Sequence, residues 1–276
     1  MNKIPLAPLK TIASLAAVGL LLTSPSSQAI TVVVSANNTT QIVDFLNANF
    51  TNIDEIRAGN FANFATTLAG GTLTGADLFI IGRTLSSGDY DNGDSDGYNT
   101  LTIPVVSFTS YVSRQDGNRL GWHAGGATGD KSILGNETTL TAAGAALFGG
   151  SAGDMVDYYD MNPGDTFNGL GAGSVGGGEI LATIGGDILA ARWDTGDAPG
   201  NPTNAGVAVF PGDRLLFNLD NDVAGGTDDI SNLTPAGRQA LITSLGNVGL
   251  QAIPEPSSAL LGLAGAALLL VRRRRR

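Results

Sequence analysis

The stretch GDYDNGDSDGYN, residues 88–99, places Asp89, Asp91, Asp94 and Asp96 within eight residues, with glycines between them that permit tight turning. Alternate carboxylates of this kind suit calcium, a hard cation that takes roughly six to eight oxygen ligands. Asn92, Asp94, Asp96 and Gly97 stand where the first, third, fifth and sixth positions of an EF-hand loop would, but the twelfth falls on Ile103, which has no carboxylate to offer. An acidic turn solvated by water fits the same spacing, so the sequence leaves both readings open. The run NLDNDVAGGTDD at 218–229 poses the same choice.

Nucleophilic chemistry has fewer candidates. Cysteine is absent, which removes thiol catalysis, disulfides and cysteine-ligated zinc together. The sole histidine is His123, in LGWHAGG. A serine hydrolase would need it as the base, with Ser110 or Ser113 as nucleophile; the other reading is a loop histidine packed beside Trp122. Asp154, Asp157 and Asp160 in GDMVDYYD offer carboxylate pairs, which glycoside hydrolysis requires at ~5 to 10 Å separation. SANNTT, after the first apolar run, stands where doubly wound folds hold phosphate on a helix N-terminus, yet it has no glycine to let the backbone approach. A secreted hydrolase acting on glycans or esters is therefore the alternative to a non-catalytic protein, and no catalytic residue is assigned.

Any such groups must be positioned by the elements around them. ITVVVSA is a β-branched run suited to a buried parallel strand. The helix after it places Ile42, Val43, Leu46 and Phe50 on one face, with Asn38 as its cap. NIDEIRAG predicts a second strand, NFANFATTLAG a second helix, ADLFIIGR (76–83) a third strand and LTIPVVSFTSYV (101–112) a fourth. Beyond residue 150 the runs shorten to GEILATI, GDILAARW, AGVAVF and DRLLFNLD, separated by turn residues, which predicts antiparallel strands. A closing helix starts at TPAGRQALITSLGNVGL, with Thr234 as N-cap and Pro235 in its first turn. The expected fold is an α/β sandwich with parallel central strands and an antiparallel C-terminal extension.

The two ends differ from this body. Residues 1–29 carry Lys3 and Lys10, an apolar stretch from Ile12 to Leu22 and a small-x-small close at Ser27, Gln28, Ala29, the layout of a secretory signal peptide cleaved after Ala29. The Sec translocon and signal peptidase are the partners this implies. Residues 251–276 hold Pro254-Glu255-Pro256, then fifteen uncharged residues from Ser257 to Val271, then Arg272, Arg273, Arg274, Arg275 and Arg276. Fifteen helical residues span about 22 Å against a bilayer core of ~30 Å, a short transmembrane helix that snorkelling arginines can hold with its basic end in the cytoplasm. Between the ends the body has 24 acidic and 8 basic residues, a net charge near −16. That field repels nucleic acid, and it repels acidic polysaccharide unless divalent cations bridge the two.

The tail, with its Pro-Glu-Pro motif, apolar helix and terminal arginines, resembles the PEP-CTERM sorting signal of Gram-negative bacteria. The resemblance implies recognition by exosortase, cleavage near Pro254-Glu255-Pro256, a transient inner-membrane precursor, and release to the cell surface or an extracellular polysaccharide (biofilm) matrix. Residues 30–250 resemble, in the order of their elements, the class I glutamine amidotransferase-like domain, which implies a flavodoxin-like fold. Active members of that family carry a cysteine flanked by glycines at a sharp turn after a central strand. Here the corresponding residues are Phe108-Thr109-Ser110-Tyr111-Val112, so the family's chemistry is not carried over.

Overall fold

The computed structural model describes residues 28–61, 63–126, 138–160, 168–219 and 229–253. The expected sorting motif and arginines, the signal peptide up to residue 27 and most of the 218–229 acidic run lie outside the described residues. One nine-stranded sheet organises the chain, in the order β2-β1-β3-β4-β9-β8-β7-β5-β6. Its first half, β1 (Ile30–Ser35), β2 (Ile53–Gly59), β3 (Leu78–Ile81), β4 (Val105–Ser107) and β9 (Arg214–Phe217), is parallel throughout. Counted along that half, the order is 2-1-3-4-5, the flavodoxin-like arrangement. Its second half, β8 (Asp187–Trp193), β7 (Glu179–Ile184), β5 (Thr138–Leu140) and β6 (Met155–Val156), is antiparallel. The protein is thus a flavodoxin-like α/β sandwich with an antiparallel extension.

The strands are apolar on both faces because both faces are covered. Val32, Val34, Leu78, Ile80, Val106, Leu215 and Phe217 enter one core, against Ile42, Phe45 and Leu46 of α1 (Thr40–Asn49), Ala145 of α5 (Ala142–Phe148) and Ala240, Leu241 and Leu245 of α7 (Pro235–Asn247). Val33, Phe79, Ile81, Val105 and Leu216 enter the other. This alternation is the period-two geometry of a strand buried on both sides. The second core is aromatic: Tyr98 lies flat on Phe79 at 5.1 Å, and Trp122, Trp193 and Phe210 meet at 5.6–6.3 Å. It is covered by α2 (Phe64–Ala69), α3 (Asn92–Asn99), α4 (Ser110–Ser113) and α6 (Pro202–Ala205). In α1 the apolar face is Ile42, Phe45 and Leu46, with Val43 half-buried and Phe50 just past the helix; the N-cap is Thr39, without a side-chain capping bond, where Asn38 was expected, and Asn38 accepts from the Thr40 amide at 3.2 Å.

Three local expectations are corrected. LTIPVVSFTSYV does not run as one strand to residue 112: β4 ends at Ser107, whose hydroxyl accepts from the Thr109 amide, and Thr109 then caps α4 through the Tyr111 amide. Hydroxyl side chains that bond nearby amides compete with the ladder and end the strand. AGVAVF is no strand either; Asn201 caps α6 through the Asn204 amide and Gly206, at φ 65°, ends it in the left-handed region. DRLLFNLD is a strand, but β9 joins β4 in parallel and β8 antiparallel, so it is the seam between the two halves. The packed body continues past residue 250, since Ile253 donates from its amide to Asn49 O at 2.8 Å.

Candidate functional site

In open α/β sheets ligands collect outside the carboxyl ends of the parallel strands. Between β1 and β3 that edge is closed by the chain itself. The Asn37 amide donates to Thr84 O at 2.7 Å, the Asn38 amide to the Thr84 hydroxyl at 3.1 Å, and a Cβ on Gly82 would lie 2.6 Å from that of Ala36. The phosphate cradle considered for SANNTT is therefore stitched to the loop after β3.

The edge after β3 and β4 is more open in chemistry. Arg83 follows β3 by two residues, and Tyr111 and Arg114 lie in and just after α4. Both guanidinium carbons stand 5.3 Å from the Tyr111 ring centroid. Asn168 donates its side-chain amide to the Tyr111 hydroxyl, and Ser110 donates its hydroxyl to the Asn168 backbone carbonyl. Arg114 buries its Nε without a hydrogen-bond partner. Sequence reasoning did not single out Tyr111, Arg83 or Arg114. The signal was there: in a body with eight basic residues, Arg83 closes one predicted strand and Arg114 follows the next.

His123 sits nearby but is walled off. It is fully buried, its Nδ1 accepts from the Gly125 amide at 2.9 Å, and Nε2 lies against Gly173 without making a hydrogen bond. Cβ atoms at Gly125 or Gly173 would come within 2.6 Å of the imidazole. The glycine-rich loop at 169–178 thus packs against the histidine, while Trp122 faces the aromatic core and donates to Asn99 Oδ1 at 2.8 Å. The His123 imidazole makes no hydrogen bond to Ser110 or Ser113, and only its backbone amide reaches Ser113 O, at 3.2 Å; the Ser110 hydroxyl is engaged with Asn168, and that of Ser113 donates to Thr109 O at 3.2 Å.

Burial holds the His123 pKa below its usual value. Because Nδ1 is an acceptor, protonation would set two donors face to face. The unfolded chain then takes up the proton first, so the contribution of His123 to stability is intact above about pH 6.5 and is lost as pH falls below it. We expect the melting temperature to fall further between about pH 7.5 and pH 5 in the wild type than in His123→Gln, which keeps an acceptor for Gly125 but does not titrate. The ceiling on that difference is about 2 kcal/mol at pH 5. Equal falls in thermal melts would contradict it.

The acidic stretch at 88–99 is structured as a 3₁₀ turn over Ser87–Tyr90 followed by α3, where a loop was expected. Glycine and aspartate are weak helix formers, and the helix is held by tertiary contacts: Ser95, Tyr98 and Asn99 are buried, and Asn99 donates to Leu120 O and Ala205 O. The four carboxylates diverge. Asp91 pairs with Arg119 at 3.1 Å, Asp94 accepts from the Phe64 amide at 2.9 Å, Asp89 belongs to the 3₁₀ turn and Asp96 is exposed on α3. Among the described residues no group of three or more carboxylate, His or Cys side chains is placed to hold a metal. Asp96 instead lines a polar recess of about 270 Å³ with Asn92, Ser95, Asn118, Thr203 and Asn204. Asn92 and Asn118, at φ 49° and 53°, are bonded to each other there, amide to carboxamide at 3.0 Å. Asp154 is engaged by the Ser151 amide at 2.7 Å, and the Asp157 carbonyl accepts from Thr234, so these two residues serve turns of the chain.

Among the described residues no helix is long and apolar enough to cross a membrane. No protein-family model and no curated protein matches the sequence. A solved structure described as a cytoplasmic protein from Salmonella typhimurium is similar at 10% identity, covering 80% of this chain and 100% of that one, with a TM-score of 0.44. A likeness of that size says nothing about activity or location.

Proposed function

We propose that the chain is an exported, exosortase-processed protein of the cell surface or extracellular matrix, and that its flavodoxin-like body binds or supports and does not catalyse. The observation that carries the non-catalytic reading is the state of the Ser110 hydroxyl. It is buried and donates to a backbone carbonyl, and among the described residues its hydroxyl bonds only to Asn168, which is no base. A nucleophile elbow stores strain in its backbone, whereas Ser110 opens a short α-helix and is not among the described non-glycine residues with positive φ. One detail of the body is consistent with processing at the amino end. β1 begins at Ile30, directly after the expected cleavage at Ala29, with Gln28 and Ala29 exposed.

The exported protein should therefore begin at Ile30, end near Pro254-Glu255-Pro256, and turn over neither glycan nor ester substrates. Intact-mass measurement of the extracellular fraction checks the ends; surface material that keeps Arg272–Arg276 would make the tail a permanent anchor. A hydrolysis screen checks the rest, because turnover lost in Ser110→Ala or His123→Gln would establish the hydrolase alternative.

A further inference from the structure

We propose that the polar recess between α3, the loop around Asn118 and α6 is a recognition site for a neutral saccharide. This rests on the non-catalytic binding reading above and names the class of ligand. The recess, about 270 Å³, has no aliphatic or aromatic residue in its lining. Backbone bonds hold two of its sides together: the Asn92 amide donates to Asn118 O at 2.9 Å, and the buried Ser95 hydroxyl donates to Asn92 O and Asn118 O at 2.6 and 3.2 Å. Each carboxamide of the lining then has one end engaged by the protein. Asn118 Nδ2 donates to Asn92 Oδ1 at 3.0 Å, which leaves Asn92 Nδ2 as a donor and Asn118 Oδ1 as an acceptor. Asn204 Nδ2 donates to Gln115 O at 2.5 Å, which leaves Asn204 Oδ1 as an acceptor. The Asp96 carboxylate and the Thr203 hydroxyl complete the set, and among the described residues neither has a hydrogen-bond or ion-pair partner.

The pattern of free groups selects the ligand. Acceptors alone would suit a cation, but Asn92 Nδ2 and the Thr203 hydroxyl also donate. One carboxylate is too few for a metal, and no metal-holding group of side chains occurs among the described residues. An anion meets no cationic residue in the lining, and it meets the field of a body with net charge near −16. A sugar hydroxyl is donor and acceptor at once. Vicinal hydroxyls therefore donate to Asp96 and to the Asn118 and Asn204 carbonyls while they accept from Asn92 and Thr203, and the carboxylate strengthens the bonds it receives. The lining is also prepared for this. Asn92 and Asn118 are held at φ 49° and 53° and bonded to each other, so little side-chain freedom is lost when a ligand enters. The volume lies just under the ~300 to 1,000 Å³ of common ligand pockets and suits a single sugar ring.

The test follows the side-chain amide NMR resonances of Asn92, Asn118 and Asn204 in the full chain, with a chelator present. The probes are methyl α-D-mannoside, methyl β-D-galactoside, D-glucuronate and methylammonium chloride. Between them the two glycosides offer cis and trans hydroxyl pairs at both positions of the ring, so at least one should shift these resonances saturably. Asp96→Ala should weaken that glycoside by about tenfold or more, as loss of hydrogen bonds to a charged group does. Saturation by neither glycoside, tighter binding of glucuronate or methylammonium, or an unchanged affinity in Asp96→Ala each overturns the proposal. So does glycoside binding that appears only when calcium replaces the chelator. If Asp96→Ala does not fold, Thr203→Val, at an exposed position of α6, is the second variant and must weaken the glycoside by about threefold. The corresponding neutral trisaccharides separate the sources: tighter binding supports a segment within a polymer, and equal binding a free or terminal sugar. Release of methanol from a glycoside would sink the non-catalytic reading and leave the recess standing, whereas absence of binding strikes the recess alone.

Discussion

Arg214→Met should cost the fold about 3 to 5 kcal/mol, the range for removing one partner from a buried charged network. Arg214 is 1% exposed, yet among the described residues no carboxylate forms an ion pair with it. Its Nη1 donates to Ile103 O, Gly212 O and Asp213 O, its Nη2 to Asn99 O and Leu101 O, and its guanidinium lies 5.2 Å from the Phe210 ring. Burial works against the charge and pulls the Arg214 pKa down, while the neighbouring Asp213 raises it. What keeps the cation inside is that cage of carbonyls, which ties the end of α3 and the loop after it to the first residue of β9. Methionine keeps most of the volume but leaves the five carbonyls without their donor. For a body of this size the melting temperature should fall by about 10 °C or more. Arg214→Lys should recover only part of the loss, because an ammonium is a point donor that cannot serve both groups of carbonyls at once. A lysine variant as stable as the wild type in thermal or denaturant melts would show that the cage needs charge alone.

Gly144→Ala is expected to cost about 3 kcal/mol or more, at the upper end of overpacking. A Cβ at this position in α5 would lie 1.8 Å from Leu181 O of β7. That oxygen cannot yield, because it also accepts from the Thr141 amide and hydroxyl, both at 3.1 Å, at the start of the same helix. To admit one methyl, α5 would have to lift by more than an ångström and give up the bonds that dock it. Gly93→Ala provides the contrast. Gly93 is in the first turn of α3 and nothing stands within 4 Å of its Cβ position, so alanine there should be neutral or stabilising by up to about 1 kcal/mol. If the two glycines respond alike in denaturation, close helix–sheet approach is not what Gly144 provides.

Local chemistry was enough wherever an element's identity depends on its own residues. The runs at 32–34 and 78–81 are apolar without interruption and are buried on both faces, and Thr234 with Pro235 marks the start of α7, where the Thr234 hydroxyl accepts from the Gly237 amide at 3.1 Å. The absence of cysteine, the acidic body and the unlike ends are likewise properties of the chain that no folding changes. α3 shows where local reading stops. Its glycines and aspartates favour a loop, and it is a helix because Ser95, Tyr98 and Asn99 are buried and bonded to residues 21 to 106 positions away.

Pairing and convergence were decided only by the tertiary structure. Nothing in DRLLFNLD says that it will lie between β4, more than a hundred residues earlier, and β8, parallel to one and antiparallel to the other. The candidate chemistry was settled in the same way, since carboxylates close in sequence point apart once α3 winds, and a serine and a histidine 13 positions apart take separate partners. The Tyr111 ring, in turn, gathers one arginine that follows β3 and one that follows α4. Sequence spacing fixes which groups a chain can offer, but distances of a few ångströms between residues far apart in the chain exist only after the sheet has chosen its strand order.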